Sequence, residues 1–215
     1  KMRIGVDFGS TVSALAWNLL EQKSPNAGFS PVAGTGWRMQ FPTIIVEKAQ
    51  NPAAPFDSTL YGEDALAVLK ELPGVKTHTE FKHGLYDPTD EGFQESCRLT
   101  ILFLGYLRGF LECNHDLSDE LFRAAEKEVW YTTPLISAYD SNQLMQNLLM
   151  AAGFTPENGY GQFRKLDEAT SLSSLALSSN NALFQRAIRK SVKDPHRKEL
   201  ALFIDIGGLT ADINL

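Results

Sequence analysis

Two short segments near opposite ends of the chain carry the same ordered residue types: Ile4-Gly5-Val6-Asp7-Phe8-Gly9-Ser10-Thr11 and Phe203-Ile204-Asp205-Ile206-Gly207-Gly208-Leu209-Thr210-Ala211-Asp212. In each, apolar residues run into an aspartate, one spacer, glycine, small residues and a threonine. The chemistry that suits this pattern is the gripping of a phosphate by a β-hairpin. The apolar run reads as a buried strand, glycine lets backbone N–H groups approach an anion, and the threonine hydroxyl adds a donor or acceptor. An aspartate at a strand end suits a hydrated cation. Mg²⁺ keeps several of its waters and takes one or two carboxylates, so Asp7 and Asp205, one from each hairpin, would make its outer shell. Aspartate-x-glycine at a single strand end is an ordinary turn; its repetition carries the reading.

These residues need elements to position them. Residues 3 to 8 and 12 to 17 read as a hairpin turning at Gly9-Ser10-Thr11. Ser24 to Gly36 is rich in Gly, Pro and Asn and reads as a loop, Phe41 to Val46 as a strand, and Asn51 to Ser58 as another loop. Between Gly62 and Leu72, residues Ala65, Leu66, Leu69 and Leu72 share one helical face, and the region Phe41 to Gly92 is a candidate inserted subdomain. From Cys97, the spacing of Leu99, Leu102, Phe103, Tyr106, Leu107, Phe110 and Leu111 predicts a buried helix. A strand over Glu128 to Thr132 follows, then a helix capped by Asp140 or Ser141, with Leu144, Met145, Leu148, Leu149 and Ala152 toward the core and Gly153 at C′. Strands and helices recurring in this way predict a mixed sheet with helices on its faces. Ser171 to Asn181 reads as helix running into loop, and the basic stretch Arg186 to Lys198 as a solvated face and loop.

Composition sets the class. The 215 residues are 43% hydrophobic and 21% charged, values of a globular chain with a real core. A net charge of −6 argues against nucleic acid or an anionic membrane as the main partner. The two cysteines, Cys97 and Cys113, form neither a metal-ligand pattern nor a disulfide framework, as expected of buried or half-buried thiols in a reducing compartment. His78, His83, His115 and His196 lack ligand spacing and read as surface residues. The longest apolar stretch, Leu99 to Leu111, is interrupted by Arg108 and too short to span a bilayer; no signal peptide and a cytoplasmic location are expected.

The motifs resemble those of the actin-like ATPases, and within them the ATPase domain of the Hsp70 chaperones. The first segment is similar to that family's phosphate-1 hairpin and the second to its phosphate-2 hairpin. Phe41-Pro42-Thr43-Ile44-Ile45 resembles the strand opening the small upper subdomain, Tyr61-Gly62-Glu63-Asp64-Ala65 the helix start that follows, and Glu80-Phe81-Lys82-His83-Gly84-Leu85 the segment of the catalytic lysine. Val129-Trp130-Tyr131-Thr132-Thr133-Pro134, with Asn142-Gln143-Leu144 and Ala151-Ala152-Gly153-Phe154, resembles the strand, proline and helix unit before Leu166-Asp167-Glu168-Ala169-Thr170. The resemblance spans essentially the whole chain and rests on order and spacing.

It implies an α/β fold: an actin-like (ribonuclease H-like) lobe with a mixed five-stranded sheet, flanking helices and a small inserted α+β subdomain. Residues 1–40 and 93–200 would form the core of lobe I, 41–92 the inserted subdomain, and 201–215 the start of lobe II. It also implies ATP or ADP with Mg as cofactors. Asp7, Asp205 and Asp212 would serve the metal, and Gly9, Ser10, Thr11, Gly207, Gly208 and Thr210 the phosphates. Lys82, Glu168 and Asp205 would be catalytic. The intact protein would hydrolyse ATP to switch the binding of a client polypeptide or co-chaperone, with no nucleic acid or membrane partner. Family domains are far longer than this chain, so one lobe alone is expected to turn over little ATP. Pro134 resembles a hinge proline that relays nucleotide state. Two departures stand out: Leu209 replaces a small residue, and Ala169 replaces the proline of a Glu-Pro pair. Leu209 favours a non-catalytic nucleotide-dependent binding module as the alternative; an actin-like filament protein is a third reading.

Overall fold

Met2, Ile4 and Val6 are buried while Arg3 and Asp7 are exposed and Gly5 lies between, the alternation of a central strand with one face in the core. The computed structural model describes residues 1–22, 24, 29–47, 59–69, 75–133, 141–167, 203–206 and 211–214. In chain order the elements are β1 (Met2–Asp7), β2 (Val12–Gln22), β3 (Phe29–Pro31), β4 (Trp37–Pro42), β5 (Ile44–Glu47), β6 (Thr59–Tyr61), α1 (Gly62–Leu69), β7 (Lys76–Thr79), α2 (Phe93–Cys113), α3 (Asp119–Ala124), β8 (Lys127–Thr133), α4 (Ser141–Ala151), β9 (Tyr160–Asp167), β10 (Phe203–Ile206) and β11 (Ala211–Asn214). Short 3₁₀ turns lie at His83–Leu85 and Pro156–Asn158.

The main sheet runs β3-β2-β1-β8-β9, with β4 also on β2. β1 pairs antiparallel with β2 and parallel with β8, and β8 pairs parallel with β9. Among the described residues it therefore holds six strands, not the five expected. The eleven residues of β2 are long enough to carry two partners end to end: β4 pairs with Val12 to Trp17, and β3 with Leu20 to Gln22. β3 falls inside the stretch 24–36 expected to be all loop.

On the core face, Ile4, Val6, Leu15, Val129 and Tyr131 pack against Phe103, Leu104 and Leu107 of α2 and Met145, Leu148 and Leu149 of α4. The apolar periodicity of both helices is thus a map of this contact. α2 begins at Phe93, four residues before the expected start. Gly153 follows α4 with φ 93° and donates its N–H to Met150 O, as a C′ residue does.

The expected strand over 41–46 is in fact two. Pro42 still pairs with Val12 in the main sheet, but Ile44 pairs with Thr79 in a separate sheet of order β6-β5-β7. Thr43 is the crossing point, its N–H donated to Thr11 O at 2.8 Å. The small sheet has its own core, in which Ile44, Val46 and Ala65 of α1 meet Leu60, Leu66, Val68 and Val75. Leu69, expected on the buried face of α1, is exposed, and Val68 packs instead.

Two surface readings are corrected. His115 is 6% exposed, stacked on Phe122 at 4.0 Å, and its Nδ1 accepts the Leu117 N–H at 3.1 Å. His78, its side chain 10% exposed, meets Glu47 at 3.0 Å. Cys97 is half-buried as expected, but Cys113 is exposed, because it ends the last turn of α2 beyond Leu111, the last buried residue. Leu72, Pro134, Asp140, His196 and the stretches 51–58, 171–181 and 186–198 lie outside the described residues. Among the described residues no helix is long and apolar enough to cross a membrane.

Candidate functional site

β1 delivers Asp7 to the exposed end of the sheet and Phe8 into the core. The connection to β2 is a turn that glycine makes possible. A Cβ on Gly9 would run into the carbonyl oxygen of Val12. The Gly9 N–H is directed to Ser13 Oγ at 3.3 Å, and Ser13 Oγ is hydrogen-bonded to Thr43 Oγ1 at 2.8 Å, both hydroxyls being buried. With the Thr43 N–H on Thr11 O, the turn is braced from both sides. Ser10 is half-buried and Thr11 exposed, and neither hydroxyl bonds another described residue.

β1, β8 and β9 run parallel, so their carboxyl ends share one edge. Thr132 Oγ1 donates to Asp7 Oδ1 at 2.7 Å. Next to it Thr133 pairs in register with Asp167, and Thr133 Oγ1 is buried with no hydrogen-bond partner among the described residues. The carboxyl edge of a parallel sheet is where open α/β folds bind ligands, because strand ends and loops there present polar groups around a crevice.

The turn that carries Lys82 is brought against Phe8 from the small sheet. After β7, Glu80 takes a left-handed φ of 56°, and a tight turn follows in which the His83 N–H bonds Glu80 O and the Leu85 N–H bonds Lys82 O, each at 3.0 Å. Phe81 is driven inward, its ring 5.9 Å from Phe8 and 6.1 Å from Phe103, while Phe8 lies 6.2 Å from Phe103. This triangle of rings joins two segments more than seventy positions apart in the sequence. The residue after Phe8 is Gly9 and the residue after Phe81 is Lys82. Gly84 lies so close to Ser96 on α2 that a Cβ there would meet Ser96 Oγ, which pins the turn to the helix. Lys82 itself is only 6% exposed, rare for lysine.

Charge holds the two legs of this turn together. On β5, Glu47 meets His78 and Lys76 of β7 at 3.0 and 3.6 Å and Arg98 of α2 at 2.9 Å. Arg98 also meets Glu95 at 2.7 Å. The hydrogen bond from His78, with that from Arg98, lowers the Glu47 carboxyl from 4.5 to about 2, against the opposing effect of burial.

Neither a family model nor a curated protein matches the chain. Solved structures do match: MreB5 of Spiroplasma citri bound to ADP, an actin-like ATPase, is 15% identical, covers 99% of this chain and superposes with a TM-score of 0.53. The fold is actin-like. Looser likenesses are MreB 5 of the same organism bound to AMPPNP, at 14% identity over 84% of this chain and 42% of that one with TM-score 0.46, and the Ppx/GppA phosphatase of Aquifex aeolicus, at 9% over 98% and 46% with TM-score 0.34. This chain spans 47% of the length of the ADP-bound MreB5.

Within the actin-like fold, the structure brings Asp7, Gly9, Ser10, Thr11 and the Lys82 turn to one end of the main sheet. β10 and β11 pair antiparallel with Asp205 opposite Asp212 in register. The side chains of Asp205 and Asp212, and all of Glu168, Gly207, Gly208 and Thr210, lie outside the described atoms. No group of three His, Cys, Asp or Glu suited to a metal occurs among the described residues. Asp7, a single exposed carboxylate at a strand end, fits a cation held through water and not a direct cage. Ser13, Thr43, Thr132 and Thr133 were not among the expected residues. Thr132 could have been found by aligning the ends of parallel strands: Val6 pairs with Tyr131, and Asp7 and Thr132 are the residues that follow each.

Proposed function

We propose that this chain is the first lobe of an actin-like, Hsp70-like ATPase that binds ATP or ADP with Mg²⁺. In the intact protein, hydrolysis switches the binding of a client polypeptide or co-chaperone. The observation that carries this reading is the Phe8, Phe81 and Phe103 triangle, which sets the Gly9 turn beside the Lys82 turn. On this reading residues 1–40 and 93–200 form the core of lobe I, 41–92 the inserted subdomain and 201–215 the start of lobe II. The ADP-bound MreB5 supports a nucleotide as the ligand.

Phosphoryl transfer asks a protein mainly for positioning and electrostatics. Asp7, with Asp205 and Asp212, accepts hydrogen bonds from the waters of a magnesium ion, which would neutralise the phosphates when bound. The Gly9 turn, through the Ser10 and Thr11 groups it presents, holds the phosphates together with Gly207, Gly208 and Thr210. Lys82 places a positive charge at the terminal phosphate, and Glu168 orients water.

The test is calorimetry of ADP and Mg²⁺ binding and single-turnover ATP hydrolysis on the intact protein. Wild type should bind; Lys82→Ala should still bind but hydrolyse about 100-fold more slowly, the size of effect seen when one preorganised charge is removed. Binding without hydrolysis in wild type would replace the enzyme by the nucleotide-dependent binding module that Leu209 favours. No binding would overturn the reading. The likeness to MreB5 favours a second reading, an actin-like filament protein. ATP-dependent sedimentation of the intact protein at high speed separates the two.

A further inference from the structure

We propose that Thr132 is a positioning residue for Asp7, holding its carboxylate in the orientation that receives a magnesium-bound water. The inference rests on the magnesium-nucleotide reading above. Asp7 is exposed at the end of β1, and an exposed aspartate is free to rotate about χ1 and χ2 unless something fixes it. Thr132 Oγ1 supplies that constraint from the neighbouring parallel strand, donating to Oδ1 at 2.7 Å, the length of a charge-assisted O–H···O⁻ bond. Oδ2 has no hydrogen bond among the described residues and remains an acceptor. The two oxygens therefore divide the work, one anchored to the sheet and one presented outward.

The β-branch of threonine serves a second end. It limits χ1 of Thr132, so the donor is itself preorganised by the strand. A threonine here for strand propensity alone would be replaced equally well by valine, whereas the positioning role needs the hydroxyl. Thr132→Val preserves shape and branch and removes the donor. Thr132→Ser keeps the donor and loses the branch.

The experiment is calorimetric ADP binding to the intact protein as Mg²⁺ is titrated. The readout is the Mg²⁺ concentration at half-maximal enhancement of binding, with thermal melting as a check on folding. Loss of one solvent-exposed hydrogen bond of ordinary net strength predicts a rise of about five- to tenfold for Thr132→Val. Thr132→Ser should stay within about twofold of wild type, and Thr132→Val should add nothing in an Asp7→Asn background, as expected when two residues act as one unit. If valine destabilises the strand, Thr132→Ala supplies the second donor-free variant. Wild-type Mg²⁺ dependence in both donor-free variants would overturn the inference while leaving the nucleotide reading intact. A serine variant as impaired as the valine one would also overturn it. Absence of ADP binding by wild type would remove both.

Discussion

β1 and β8 lie side by side and parallel, yet their two ends treat charge in opposite ways. At the amino end Lys127 is 1% exposed, its Nζ 4.5 Å from the Phe122 ring centroid and 5.5 Å from that of Tyr160. Tyr160 Oη donates to Glu112, which is held by Arg108. Glu128 beside it is matched by Arg164 at 3.2 Å, Lys1 at 3.6 Å and Arg3 at 3.7 Å. Burial pushes the Glu128 carboxyl up, but its hydrogen bonds and these three cations outweigh that and hold it below the ordinary range. At the carboxyl end, Asp7 is exposed with a single hydroxyl on one oxygen, and Thr133 carries an unmatched buried hydroxyl among the described residues. One end satisfies its charges internally and serves stability. The other leaves polar groups unspent, and these are the groups the proposed nucleotide site would use.

The largest effect should come from breaking the carboxyl end from within. Phe8→Ala removes the ring between Phe81 and Phe103 and should cost about 3–5 kcal/mol in urea denaturation, as deletion of a fully buried aromatic does. It should also abolish ADP binding through displacement of the Gly9 and Lys82 turns.

Next comes the contrast between two charge deletions. Asp7→Asn should leave unfolding free energy within about 0.5 kcal/mol of wild type, as for an exposed side chain, while Mg²⁺-dependent ADP binding weakens at least tenfold. Lys127→Met should do the reverse, leaving binding unchanged and the protein at least as stable, because an apolar side chain avoids the desolvation cost of the buried ammonium and Glu112 keeps Arg108. Equal loss of binding in both variants would erase the distinction between the two ends.

Two pH effects are smaller. Burial lowers the Lys127 pKa below its ordinary 10.5, so between the folded and unfolded values the unfolded chain binds more protons. Stability should rise with pH in the window just below 10.5, and Lys127→Met should flatten that rise. The Glu47 carboxyl, lowered to about 2, contributes stability that is fully present above 4.5 and lost as pH falls from 4.5 toward 2. Acid titration of Glu47→Gln should show a shallower loss over that interval, muted by high salt since the network is partly exposed.

What the sequence made legible were patterns that depend on near neighbours. The strand ending in Asp7, the apolar stripes of α2 and α4 and the Gly153 cap are local periodicities or caps, and they appear where expected. β7 was missed because Lys76-Thr77-His78-Thr79 has no apolar alternation; it owes its place to pairing with β5 and to the contacts of Glu47 with Lys76 and His78. The break at Thr43 was missed although Pro42 marks it: proline cannot donate to a ladder, and the apolar residues on either side of it, Phe41 and Ile44 to Val46, read as one run until the competition between two sheets splits them. His115 was misread because its burial comes from Phe122, in a later helix. Within the candidate site the same division holds. Asp7, Gly9 and Lys82 were marked by motifs, whereas Thr132 is a common strand residue whose meaning lies in a partner 125 positions away.

The crossing at Thr43 has a mechanical consequence. One threonine stands between the last residue of β4 and the first of β5, and through its hydroxyl holds Ser13, which in turn receives the Gly9 amide. The small sheet is therefore a lever whose fulcrum is wired to the turn at Gly9. Tilting that sheet must strain or rotate the hydroxyl pair, and with it the amide. A change in the tilt of the small sheet would therefore be felt at the Gly9 amide through two hydroxyls, those of Thr43 and Ser13.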